Sequence, residues 1–259
     1  MANPAVRLPV IQSSGLGSTL RRDSWWLGPA ATVCVLTGFI VYATFRAFEN
    51  GGYEFGPYLS PFYSPFFDTS WAKGSGLAFL SPAMLILPGP ASFRFTCYYY
   101  RKAYYRSFAM DPPACAVGEP TGRKNYQGER KLLLFQNLHR YAMYVAVIFL
   151  LILWKDAFVA FFWKDGFHVG LGALVMVTNC VLLSGYTFGC HSFRHLIGGS
   201  VNSYSTATAG NARFAFWKLV TVLNERHQVL AWMSLFAVAL TDVYIRAVAT
   251  GAITDLRIF

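Results

Sequence analysis

Two cysteines and two histidines, set by a short internal repeat, are the residues of this chain best suited to chemistry. The stretch Phe95-Thr96-Cys97-Tyr98-Tyr99-Tyr100-Arg101-Lys102 and the stretch Phe188-Gly189-Cys190-His191-Ser192-Phe193-Arg194-His195 share the pattern Phe-x-Cys-x-x-x-Arg followed by a basic or imidazole side chain. After each, a polar connection leads into an apolar stretch with a histidine about two turns in: residues 130–137 lead to His139 and residues 218–224 lead to His227. The separations are similar, 42 residues from Cys97 to His139 and 37 from Cys190 to His227. Such a repeat predicts two parallel helix pairs related by a pseudo-two-fold axis along a membrane normal, with Cys97, His139, Cys190 and His227 at one depth.

Two thiols and two imidazoles at one level are a metal-ligand inventory. Zinc accepts a Cys₂His₂ tetrahedron, but structural zinc usually stitches short soluble loops with close ligand spacing. A Rieske-type [2Fe–2S] centre takes two thiolates on one iron and two imidazoles on the other, and the imidazoles raise its reduction potential. Haem b is the competitor, since His139 and His227 alone would supply both axial ligands and leave the cysteines unexplained. A purely structural reading stands beside these, because cysteine is often a small buried hydrophobe, whereas intramembrane histidines are functional by default. Cys34 and Cys180 fall inside apolar runs and read as core, Cys115 falls in a polar loop, and no disulfide framework is implied. His168 reads as an interfacial side chain. His191 and His195 flank Cys190 and could be ligands, donors to the ligands or proton carriers; a set using His191 in place of His139 is the variant, and the repeat favours His139.

The elements that must position these residues follow from composition. Of 259 residues, 55% are hydrophobic, 17% aromatic and only 13% charged, about half the charge of a soluble domain. A spanning helix needs about 20 mostly apolar residues, and five segments qualify: about 27–45, 77–99, 132–162, 167–188 and 214–248. The expected fold is therefore all-α, a polytopic bundle of five transmembrane helices over 27–259 behind an N-terminal segment 1–26. Trp25 and Trp26 suit the headgroup layer at the first entry. Pro82, Pro88 and Pro90 predict a kinked second span. The third and fifth segments exceed the bilayer and should project or tilt. The opening residues lack the apolar core of a cleavable signal peptide.

Charge fixes the expected orientation. With the N-terminus inside, the inner stretches hold Arg7, Arg21, Arg22, Arg101, Lys102, Arg106, Arg123, Lys124, Arg130, Lys131, Arg194, Arg213 and Lys218; the outer stretches hold Arg46, Lys73, Lys155, Lys164, Arg246 and Arg257. Cytoplasmic loops retain positive charge, so this bias predicts N-in and C-out, with connections 101–131 and 194–213 in the cytoplasm. The 46–76 connection, rich in Gly, Pro and aromatics, reads as an ordered interfacial cap. The net charge of +10 then reports topology and attraction to anionic lipid, not nucleic-acid binding, for which no recognition element is present. The Pro-rich 101–131 loop is too polar to form a core of its own and suits docking of a soluble partner.

Five spans, inner-side histidines on the third and fifth, and a basic cytoplasmic face together resemble the membrane anchor of succinate dehydrogenase, respiratory complex II. The resemblance is greatest to the actinobacterial, mycobacterial type that lacks haem and carries a Rieske-type centre. It implies a location in the bacterial plasma membrane and two partners on the cytoplasmic face, a flavoprotein with covalently bound FAD that oxidises succinate and an iron–sulfur protein that relays electrons, in a complex that could form a higher oligomer. It also implies quinone as the electron acceptor. Quinone reduction needs hydrogen-bond donors and a proton supply, and Tyr98, Arg101, His191, Ser192 and Arg194 sit suitably near the inner surface; snorkelling to lipid phosphate is the plainer reading of both arginines. No Gly-rich dinucleotide turn or ferredoxin-like Cys run is present, so neither flavin nor the succinate site is expected in this chain. A transporter is the alternative class, disfavoured by scarce intramembrane carboxylates: Asp156 and Asp165 lie at outer ends and Asp242 can pair with Arg246 at i, i+4. A stand-alone di-haem cytochrome would have to force His139, His191, His195 and His227 into two stacked pairs at one depth.

Overall fold

The computed structural model describes residues 15–69, 80–120, 132–199 and 201–259. Among them, four helices are long and apolar enough to cross a bilayer: α1 Leu27–Glu49, the Leu134–Val159 part of α5 (Leu132–Val159), α6 Leu171–Phe188 and α9 His227–Ala249. The first, third, fourth and fifth predicted spans each contain one of them.

The second predicted span is not one helix. Its first residues, 77–79, lie outside the described residues, and the remainder is divided into α2 Pro82–Ile86, α3 Pro88–Thr96 and α4 Tyr98–Tyr104. Pro88 and Pro90 have no N–H to give, so rungs of the helical ladder are missing where α2 meets α3, although Leu87 keeps helical angles (φ −56°, ψ −35°) and its amide still donates to the Ala83 carbonyl at 2.9 Å. Ser81 opens α2, its hydroxyl accepting from the Met84 amide at 3.3 Å and donating to the Ala47 carbonyl at 2.5 Å. Cys97, with φ −63° and ψ 132°, is extended and ends α3.

The fifth predicted span, 214–248, is likewise two elements, α8 Gly210–Glu225 and α9, separated at Arg226 (φ −97°, ψ 4°). The fourth begins at Leu171 instead of 167, because β3 Phe162–Trp163 and β4 Gly166–Phe167 form a hairpin before it. The third ends at Val159 instead of 162 for the same reason.

Contacts divide the chain into two compact units, Met1–Gly38 with Tyr100–Arg130, and Phe39–Tyr99 with Lys131–Phe259. In the first, the 101–131 loop finds partners that the sequence does not suggest. Gly17 donates to the Gly118 carbonyl at 3.0 Å, Gly118 to the Ser18 carbonyl at 2.9 Å, and Arg21 to the Cys115 carbonyl at 2.9 Å. The loop's residues 121–131 lie outside the described residues.

In the second unit, α6 packs on α9 and on α5, and α5 on α3. The expected cap is ordered over 50–69: β1 Glu54–Phe55 pairs with β2 Tyr58–Leu59, and Tyr53 stacks on Tyr63 at 4.1 Å. Asp255 gathers the C-terminal tail, accepting from Tyr58 Oη at 2.7 Å, Tyr244 Oη at 2.6 Å and the Gly172 amide at 3.0 Å. Near the end of α9, Asp242 is fully buried and accepts from Tyr42 Oη at 2.5 Å, from Ser60 Oγ, and from Arg246 Nε at 2.9 Å. Arg246 Nη1 continues to Glu49 at 2.9 Å and to the Gly51 carbonyl at 2.5 Å. This network ties α9 to α1 and the cap.

Removing one member of a buried charge pair strands the other, which costs about 3–5 kcal/mol, whereas an apolar pair of similar volume can be neutral. Asp242→Ala should therefore lower the unfolding temperature sharply in detergent, and Asp242→Leu combined with Arg246→Met should recover most of that loss.

Candidate functional site

The break at Cys97 and the packing of α3 against α5 build one half of the site. A Cβ on Gly89 would lie 2.6 Å from the Phe149 ring, so only glycine lets α3 seat this closely on α5. At that distance Thr96 Oγ1, which donates back to the Ser92 carbonyl, stands 3.0 Å from Nδ1 of His139, and Phe93 stacks face to face on the same imidazole at 4.7 Å and 6°. His139 is 8% exposed and Cys97 1%.

The other half forms where α6 ends. Cys190, fully buried, caps the short helix α7 His191–Arg194, its sulfur accepting from the Phe193 amide at 3.2 Å. Its backbone (φ −71°, ψ 151°) repeats that of Cys97, and each cysteine leads into a short α-helix that closes in a π turn, Tyr105–Ala109 in one case and His195–Gly199 in the other. The pattern Phe-x-Cys-x-x-x-Arg thus corresponds to one local backbone conformation used twice. The histidines differ: His139 lies inside α5, while His227 is the first residue of α9, placed by the break at Arg226 instead of sitting two turns inside a continuous helix.

That break is fastened to Cys190. Asn224 Nδ2 donates to the Gly189 carbonyl at 2.8 Å, and a Cβ on Gly189 would meet the Gly185 carbonyl oxygen at 2.7 Å and that of Leu223 at 3.0 Å. Backbone therefore touches backbone beside the cysteine. The result brings His227 Nε2 to 3.6 Å from Cys97 Sγ. Tyr186 stacks on His227 at 4.9 Å and 14°, Tyr99 flanks it at 5.4 Å, and Tyr186 meets Phe93 at 5.2 Å. Cys190 lies within electrostatic range of Cys97, and His227 within range of His139 and Arg94. Nδ1 of His227 is buried without a hydrogen-bond partner. Among the described residues, no three His, Cys, Asp or Glu side chains converge closely enough to hold a single metal ion.

Of the other expected site residues, Tyr98 and His191 are exposed and Ser192 half-buried. Arg194 is engaged by α8, donating from Nε to Thr221 Oγ1 at 3.0 Å with its guanidinium 4.6 Å over Trp217. Arg101 belongs to the first unit, where it is buried. His195 lies 3.2 Å from Arg140 and His168 pairs with Asp165 at 3.1 Å, both away from the cysteines.

Sequence reasoning missed Arg94. Its two terminal nitrogens donate to the Ala231 carbonyl and to Ser234 Oγ, both at 3.1 Å, and its guanidinium lies 4.8 Å over Tyr186. The available signal was a single charge inside an apolar stretch. Arg94 also lines a cavity of about 510 Å³ and is the one charged residue among its described walls, which include Phe39, Phe62, Leu87, Phe93 and Tyr186.

Four helices long and apolar enough to cross a bilayer, with buried cysteines and histidines where helices end, are the frame of a polytopic membrane protein. The family model for the actinobacterial succinate dehydrogenase subunit SdhC matches residues 27–251, and the chain belongs to that family. It is also similar to a chain of the Mycobacterium smegmatis Sdh1 complex in the apo form, at 41% identity and a TM-score of 0.83, covering 98% of this chain and 97% of that one. Comparison with curated proteins returned no match.

If the Gly189 contact seats Cys190 beside α8, Gly189→Ala must push backbone from backbone and cost about 1–3 kcal/mol. Gly38→Ala, whose added Cβ meets nothing, should be neutral or slightly stabilising. Thermal unfolding of the two variants in detergent checks this.

Proposed function

We propose that this succinate dehydrogenase subunit relays electrons to a membrane quinone through a [2Fe–2S] centre held by Cys97, His139, Cys190 and His227. The carrying observation is the 3.6 Å approach of Cys97 Sγ to His227 Nε2 inside a layer that also buries Cys190 and His139. In this reading the chain anchors an iron–sulfur protein and a FAD-bearing, succinate-oxidising flavoprotein on its basic cytoplasmic face in the bacterial plasma membrane. It supplies no succinate site of its own.

The donor set fits such a centre. Two thiols and two imidazoles are its ligand inventory, and the unpartnered buried Nδ1 of His227 is an atom that a metal would satisfy. Zinc would need four ligands around one ion, which the lack of any three-residue cluster among the described residues disfavours. Haem b would take the two imidazoles alone and leave the buried Cys97 and Cys190 without a role. When bound, the centre would supply one-electron transfer.

The chain's own residues do the rest. Phe93, Tyr99 and Tyr186 pack the imidazoles on their faces, exclude water and fix the ring planes. Thr96 Oγ1 stands within hydrogen-bonding reach of Nδ1 of His139 and helps to orient that ring. The Phe193 amide donates to the Cys190 sulfur and orients it within the layer. Tyr98 and His191, both exposed, are the donors expected to meet quinone oxygens at the partner interface, with Ser192 and Arg194 in support.

Visible and low-temperature paramagnetic spectra of the assembled complex test the proposal. The reduced complex should show a Rieske-type signal and no haem α-band, and His139→Ala and His227→Ala should each abolish that signal while the subunits still copurify. An α-band, or a signal that survives both substitutions, would overturn the assignment.

A further inference from the structure

Arg94 stands three residues before Cys97, and its guanidinium donates to a carbonyl and a hydroxyl and lies over an aromatic ring. Two of these groups, on Ala231 and Ser234, lie one and two turns beyond His227 on α9. The ring of Tyr186 meets both groups, stacked on His227 at 4.9 Å and lying 4.8 Å from the Arg94 guanidinium. The arrangement holds a cation at a fixed separation from one ligand of the donor cluster, inside a layer where low polarity strengthens charge interactions.

Resting on the centre proposed above, we propose that Arg94 is a positioning residue that holds its positive charge against His227 through Tyr186 and so raises the reduction potential of that centre. A fixed cation favours whichever state carries one more electron, and nearby charge and hydrogen bonding are the protein's means of setting such potentials. The electron itself comes from the iron–sulfur partner and leaves to quinone, so Arg94 takes no part in the transfer and shifts only its equilibrium. A plainer role, a brace between α3 and α9, would need the hydrogen bonds alone and would leave the potential where it is.

Redox titration of the paramagnetic signal in the purified complex separates the two. Arg94→Gln keeps hydrogen-bonding capacity and removes the charge; at the wild-type midpoint it should shift the ratio of reduced to oxidised centre about tenfold toward oxidised, a potential about 59 mV lower. Arg94→Lys keeps the charge and should return most of that shift. Ser234→Asp reads the same charge without removing Arg94, by placing a carboxylate beside the guanidinium, and should also lower the potential; it carries the test if the glutamine variant does not assemble. A potential unchanged in the assembled Gln or Asp variant, or a lysine variant equal to the glutamine one, would overturn the role of Arg94 and leave the centre standing. A wild-type complex without the signal would overturn both.

Discussion

A helix broken inside an apolar medium exposes backbone groups that no water can satisfy, and each unsatisfied group costs several kcal/mol. This chain breaks helices at Cys97, at Cys190 and at Arg226, and each break is repaired from close by. Cys190 receives the Phe193 amide on its own sulfur, Asn224 takes the Gly189 carbonyl, and Arg226 closes a tight turn onto the Leu223 carbonyl at 3.1 Å. The repairs interlock, since residues preceding one break answer groups freed at another. The donor cluster exists because of this: a continuous helix would carry Cys97 and Cys190 past the layer, whereas a break lets each sulfur turn inward.

Once the breaks are set, the aromatic residues determine what the layer can do. Phe93 and Tyr186 stack on two imidazoles and Tyr99 leans against one of them, which restricts the rotation of those rings. Asp242, fifteen residues along α9 from His227, is about 22 Å away at helical rise. The ionic network that secures α9 is therefore well separated from the buried cysteines and histidines at its other end. The Asp242 network and the imidazole of His227 thus occupy opposite ends of one helix.

Much of this is legible in the sequence, and the reasons divide cleanly. Long apolar runs show themselves because the bilayer imposes a length, so α1, α5, α6 and α9 stand out. The four donors stand out because cysteine and histidine are rare in such runs and recur at matched spacing. The division of the second span is signalled by Pro82, Pro88 and Pro90, although not its completeness. The break at Arg226 carries no local signal: Leu223-Asn224-Glu225-Arg226 is acceptable helix, and only the approach of Gly189 from 35 residues away interrupts it. The pairing of residues 17–21 with 115–118 is equally non-local. Arg94 is hidden because averaging over a window dissolves a single charge.

The buried pair of Asp242 and Arg246 also bears on how the molecule is made. A charge costs about 2.5–3.5 kcal/mol at the centre of a spanning helix and less toward its end, where Asp242 and Arg246 lie, so the pair still burdens α9 as an independently inserting segment. Its i, i+4 pairing offsets part of that cost, and the rest is met by Tyr42, Glu49 and Ser60, some 200 residues earlier in the chain. Those partners leave the ribosome long before α9 does. By the time α9 is made, the groups that complete its ionic network are therefore already present in the chain.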